Sequence, residues 1–290
     1  MDLTKNFVKA KSPCTDGFRW FLRHCQEGSN YQPLLDALVA AGRVNDACWL
    51  LAQFGPTDAV LTVDAIEAEA IVFAGTLEVH GSIEVGSIVR AGRTIRTGGG
   101  IRAGEAIAAG ADIRAAGGIR CEGVLEAGGD IRAGWSIEVQ GRLRCEGDVR
   151  VESDLSCSGE LSVGGNVFAG EAITVNGSID CGKGIRAGSA LTGQDCIRAG
   201  SGIEAGATIL CHRHLEAGWG IRSGEAIIAG GSIKAGESLQ AFEEIRSGDG
   251  YGVYAGLNVQ FDVWESSAQV RASSKPERLM SGWWAGVCLA

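Results

Sequence analysis

Proline occurs four times in 290 residues, histidine four times and methionine twice. The 45 glycines could suggest collagen or a disordered chain. Neither fits so little proline, no three-residue period, and 45% hydrophobic residues. Positive charge is in deficit: 26 Lys and Arg against 35 Asp and Glu leave a net −9. Direct binding to nucleic acid or to an anionic membrane is therefore not expected, since both need clustered positive charge. No run of eighteen apolar residues is present, and Met-Asp-Leu-Thr-Lys opens nothing like a secretory signal. A cytoplasmic protein is expected. There is no Gly-x-Ser-x-Gly elbow and no phosphate loop, and His24, His80, His212 and His214 are the only histidines, so nucleophilic catalysis finds no constellation.

What is present is a repeat. From Ile71 an aliphatic residue falls on every sixth position thirty times in succession, through Ile101, Ile107, Ile113 and Ile119 to Ile245. Two residues after each comes a small one, usually Ala, Val or Cys, and glycine often follows it. With period-two geometry the first and third positions point inward and the second outward, as in a three-residue strand. Glycine at a fixed phase marks a corner repeated many times. Asp-Ile-Arg or Asp-Val-Arg recurs at 112–114, 130–132 and 148–150, and Gly-Gly-Ile-Arg at 99–102 and 117–120. Eighteen residues is three sixes. The expected fold is an all-β solenoid, a triangular parallel β-helix of about ten eighteen-residue coils, of open handedness.

Both ends carry other patterns. Residues 1–58 read as a helical cap: one helix over Phe18 to Leu22 opened by Thr15 or Asp16, a second with Pro33 in its first turn, and a third from Asn45 or Asp46 to Gly55-Pro56. It is expected to cover the open end of the first coil, as terminal caps of repeat proteins do. The β-helix is assigned to residues 59–248, with 59–70 not yet in phase, and residues 249–290 to a C-terminal strand-rich cap. In that cap Leu257, Val259, Phe261 and Val263 alternate like a half-buried strand. Leu279, Trp283, Trp284 and Val287 are expected to plug the last coil.

The most distinctive surface feature is a pair of charge columns. Arg96, Arg114, Arg132 and Arg150 lie eighteen apart and should stack. Like charges ~4.8 Å apart repel by roughly 0.9 kcal/mol in water. Asp112, Asp130 and Asp148 precede three of them by two residues and would cancel that repulsion. A solvated salt-bridge ladder is one reading, and a docking strip for an acidic partner the other. Cys211, His212 and His214 form the densest group of metal-ligand types, but no fourth ligand is near and Cys211 should face inward. No catalytic, cofactor or metal residue is assigned. Of ten cysteines, Cys121, Cys145, Cys157, Cys181 and Cys211 take the small inward position as slightly large alanines. Those sharing a wall lie two coils apart, too far for a disulfide.

The strict sixfold period of Ile101-Arg102-Ala103-Gly104 and Ile131-Arg132-Ala133-Gly134 resembles the hexapeptide β-helix of acyltransferases, with the large and small positions exchanged. That resemblance would imply an acyltransferase with a catalytic histidine and an extruded loop, which thirty unbroken repeats do not provide. The Gly-x-Ile-x-Ala-Gly texture over residues 71–246 is also similar to bactofilins, which implies a triangular β-helix that polymerises end to end. The expected function is a non-enzymatic rod acting as a scaffold for a protein partner or for self-association. The alternatives are an acidic mimic of nucleic acid that inhibits a DNA-binding enzyme, and a hexapeptide-type acyltransferase.

Overall fold

The computed structural model describes residues 2–3, 5–24 and 29–287; Cys25 and Cys288 lie outside the described residues. From Val60 onward the chain winds into a parallel β-solenoid with three walls. Wall I (from Val60–Val63 to Trp283–Gly286) has thirteen strands, wall II (from Ile66–Ala68 to Ile245–Arg246) eleven and wall III (from Ile71–Phe73 to Leu279–Ser281) twelve, visited in the order I, II, III until the last turn, which passes from wall I to wall III without wall II. Pairing is in register at eighteen residues: Ile101 lies beside Ile119, Arg102 beside Arg120 and Ala103 beside Cys121.

The three-residue strands of the central coils bury their first and third residues, and the four-residue strands their second and fourth, with the residue between turned outward. The inward side chains form one continuous core from Ile66 to Ala272. Corner hydrogen bonds join successive coils, for example from the Ile131 N–H to the Asp148 carbonyl at 2.9 Å and from the Gly134 N–H to the Ala115 carbonyl at 3.0 Å. Glycine recurs at the corners for lack of room. A Cβ at Gly134 would collide with the Ala116 carbonyl oxygen one coil earlier, and no glycine between 75 and 248 adopts positive φ.

The rod has about thirteen turns, not ten. The expectation fell short because the terminal turns do not keep the eighteen-residue length. Leu61 pairs with Leu77 after sixteen residues and Ile66 with Ile83 after seventeen. At the other end Leu239 pairs with Val270 after thirty-one. Twelve steps of ~4.8 Å make wall I about 58 Å long. The long last turn carries an insertion where a half-buried strand was expected. Phe261–Val263 is instead a 3-10 turn leading into the short helix Trp264–Ser267, and the Phe261 side chain is 93% exposed. The chain then resumes the walls through Gln269–Arg271, Leu279–Ser281 and Trp283–Gly286, all parallel to their neighbours.

Four helices precede the solenoid: α1 (Lys5–Ala10), α2 (Thr15–His24), α3 (Tyr31–Ala40) and α4 (Val44–Phe54). The last begins before Asn45, with Asp46 in its first turn paired to Arg43. Phe21, Leu34, Leu35, Leu38, Leu50 and Leu51 bury together with Val72 of the first wall III strand, Ile71–Phe73, and with Ala74 just after it. Val72 is an outward position, so the helices pack on the flank of the rod. Gln32 holds the edge strand there: its side-chain N–H donates to the Val72 carbonyl at 3.1 Å, and its Oε1 accepts the Ala74 N–H at 2.8 Å. The end itself is not covered as expected, because Leu61, Val63 and Ile71 stay half-exposed. At the opposite end Leu279 and Trp284 pack on the core, but Trp283 and Val287 do not.

Candidate interaction surface

The four arginines of the column stack in register on wall I, Arg96 beside Arg114, then Arg132, then Arg150. Asp112, Asp130 and Asp148 lie on the corner between walls III and I, just before those strands. Two pairs form across two residues, Arg114 to Asp112 at 2.7 Å and Arg132 to Asp130 at 3.1 Å. Arg96 reaches Glu78 at 3.2 Å, and Arg150 pairs with Glu152 at 3.1 Å while lying 4.9 Å over the Phe168 ring.

The aspartates do a second thing that their charge does not announce. Asp112 Oδ1 accepts the backbone N–H of Asp130 at 3.0 Å, and Asp130 Oδ1 that of Asp148 at 3.0 Å. Asp148 Oδ1 accepts the Asn166 N–H at 2.7 Å, and Asn166 Oδ1 the Gly184 N–H at 3.2 Å. Each side chain satisfies a corner donor one coil later, which the wall ladder leaves unpaired. The Asn166 N–H holds the Asp148 carboxyl below the usual carboxylate range. Asp154 treats the Ala172 N–H the same way at 3.1 Å, and His214 Nδ1 the Ser232 N–H at 3.2 Å.

The column changes character at residue 184. Reading every eighteenth residue gives Asp112, Asp130, Asp148, Asn166, then Gly184, Gly202, Gly220 and Ser238. With no side chain to accept them, the N–H groups of Gly202, Gly220 and Ser238 have no partner among the described residues. This glycine run is the floor of an open groove of about 690 Å³. One bank carries Lys183, Ser201 and Trp219, the other Phe168, Arg186, Glu204, Arg222 and Gln240. Trp219 is 59% exposed. Arg186 approaches Glu204 at 3.7 Å, whereas Lys183 and Arg222 have no ion-pair partner among the described residues. The comparable groove on wall III, about 470 Å³, holds Arg142, Arg144 and Arg198, each paired with Glu126, Glu146 or Asp180.

The inward reactive side chains of the solenoid are occupied structurally, whereas Cys14 in the helical segment is exposed with its thiol 3.7 Å from Asp46 Oδ1. Five inward thiols donate to corner carbonyls: Cys145 Sγ, for example, lies 3.0 Å from the Gly129 oxygen and 3.5 Å from that of Asp148. They are thus more than enlarged alanines, and Ser223 serves the same two acceptors in its coil. Burial pushes the Cys145 thiol up to about 12 and that of Cys211 to about 11. Cys211 donates inward to the Asp195 and His214 backbone carbonyls at 3.1 and 3.3 Å, while the His214 ring turns to Ser232. No group of three metal-ligand side chains converges among the described residues. The eight described cysteines are all free thiols.

The helical segment has its own apolar cavity of about 370 Å³, lined by Val8, Phe21, Leu34, Leu38 and Trp49 with Cys14 and Asp46 at its rim. No helix of the described residues is long and apolar enough to cross a membrane. Comparison with curated proteins and with solved structures gives no match. A family model for the YdhT N-terminal domain matches residues 1–54, which are the four helices and not the solenoid they flank.

Proposed function

We propose that the protein is a rigid, non-enzymatic rod that holds a protein partner in the cytoplasm. The observation that carries this reading is the employment of its chemically capable side chains. The buried thiols, His214 and the aspartate column each make a coil-to-coil hydrogen bond, so within the solenoid these side chains serve its own backbone. Arginine and acid alternate along the walls, which weighs against the continuous negative surface that a nucleic-acid mimic needs.

A photocrosslinking residue placed in turn at Glu204 (wall I), Thr192 (wall II) and Glu216 (wall III) tests the reading in cells. One wall should give a discrete adduct with a defined protein. Diffuse, equal labelling from all three walls would count against it.

Self-association, the behaviour that the bactofilin-like texture suggests, draws on a separate observation. The first coil leaves Leu61, Val63 and Ile71 half-exposed, and Val60 is 55% exposed. Sedimentation that depends on concentration and is lost in Leu61→Asp supports this mode; concentration-independent monomer sedimentation rejects it.

A further inference from the structure

We infer that the wall I groove over Gly184, Gly202 and Gly220 receives an acidic segment of a protein partner, whose carboxylates take the places that Asp112, Asp130 and Asp148 occupy in the earlier coils. The inference rests on the interaction-rod reading and specifies which surface is used and for what chemistry.

The molecule itself shows which group fits this corner. In three successive coils a carboxylate oxygen accepts the corner N–H, at 3.0, 3.0 and 2.7 Å. In two of those coils its second oxygen meets the arginine two residues on. From Gly202 the donor persists and the acceptor is gone. The arginine persists in two of the three coils: Arg186 and Arg222 stand two residues after Gly184 and Gly220, where Arg114 stands after Asp112, while Glu204 takes that place after Gly202. A carboxylate entering from outside at Gly184 or Gly220 therefore finds the same donor and the same guanidinium that the internal ladder provides, and at Gly202 the donor alone. Free corner N–H groups occur on other corners too, as at Gly100 and Gly118. The III–I run combines them with a groove of about 690 Å³ and with Lys183 and Arg222, which have no ion-pair partner among the described residues.

Charge and shape agree. Lys183, Arg186 and Arg222 against Glu204 give the groove a positive excess in a chain of net charge −9, so an acidic segment is attracted here. Phe168, one coil before Gly184, and Trp219, beside Gly220, stand at the two ends of the run and offer apolar contact to side chains flanking the carboxylates. The three free N–H groups span two coil steps, roughly 10 Å, within the reach of a few extended residues. The open floor is free of internal packing, since a Cβ built at Gly184 meets nothing nearer than the Gly202 oxygen at 3.4 Å.

The test uses the full chain, labelled with 15N-glycine, and a fluorescein-labelled Glu-Glu-Phe-Glu-Glu peptide with its Ser-Ser-Phe-Ser-Ser counterpart. Titration of the acidic peptide should move the Gly202 and Gly220 amide resonances and leave those of Gly100 and Gly118 in place. Anisotropy should show saturable binding that weakens with salt. Gly184→Asp together with Gly202→Asp refills the ladder and should cut affinity about tenfold or more without lowering thermal stability. Arg222→Glu should do the same through charge reversal, which keeps the test decisive if the glycine variants misfold. Unmoved Gly202 and Gly220 amides, equal affinity in all variants, or equal binding of the serine peptide or of a single-stranded oligonucleotide overturns the inference. A discrete adduct from the wall II or wall III crosslinker with a silent groove would overturn the inference alone; silence everywhere would remove the rod reading too.

Discussion

Replacing Asp130 isolates what the aspartate column contributes. Its Oδ1 accepts the Asp148 N–H at 3.0 Å and its Oδ2 pairs with Arg132 at 3.1 Å, with 29% of the side chain exposed. A hydrogen bond to a charged group contributes about 1.5–3 kcal/mol, and partial exposure places this one near the lower bound. The exposed ion pair adds about 0–1 kcal/mol. Asp130→Gly should therefore cost about 1.5–2.5 kcal/mol. Asp130→Asn loses the charge but keeps an acceptor, as Asn166 does natively toward the Gly184 N–H, and should cost below about 1 kcal/mol. In urea, a slope near 3 kcal/mol/M turns the glycine loss into a midpoint shift of about 0.5–0.8 M. Equal shifts for Gly and Asn would show that charge pairing, and not the corner N–H, is what the column provides.

Burial raises all five inward thiols. The unfolded chain then releases these protons first. Stability should be level below the ordinary thiol value of 9.0 and fall as pH rises from there toward the folded value of about 12 for Cys145. Denaturation series between pH 7 and 10.5 check the sign, and stability constant or rising over that range contradicts it. Ile137→Ala empties a fully buried position of the central coils and should cost about 2–5 kcal/mol in the same assay, where a loss under about 1 kcal/mol would mean a loosely packed interior. Gln32→Ala frees the Val72 carbonyl and the Ala74 N–H at the edge of wall III. It should raise the concentration-dependent mass in sedimentation, because an exposed strand edge pairs with another chain; an unchanged mass would show that the packed helices suffice.

The walls were legible because nothing interrupts the inward positions from Ile71 to Ile245, and the eighteen-residue recurrence around Ile113, Ile131 and Val149 counted them. The number of turns was not. Leu61 with Leu77, and Leu239 with Val270, pair across lengths that break the period, and pairing between strands leaves no mark when the corners differ. Phe261 and Val263 alternate like strand residues, yet no neighbouring strand receives them, and they stay exposed on the insertion. The position of the helices was also hidden, since Val72 reads as an outward residue and only α3 and α4 lying on it reveal the flank. The charge columns were visible as charges. Their backbone role was not, because a carboxylate that accepts an N–H eighteen residues later has no local sequence sign. The one available signal was the step from Asp and Asn to Gly at residue 184 in every eighteenth place.

That step makes the corner amides the most direct measurement. Amide hydrogen exchange by NMR should find the N–H groups of Asp130, Asp148, Asn166 and Gly184 protected, each held by the side-chain oxygen of the coil before, and those of Gly202, Gly220 and Ser238 exchanging fast in the free protein. Slow exchange continuing unbroken past Gly184, or fast exchange already at Asp130, would contradict the account.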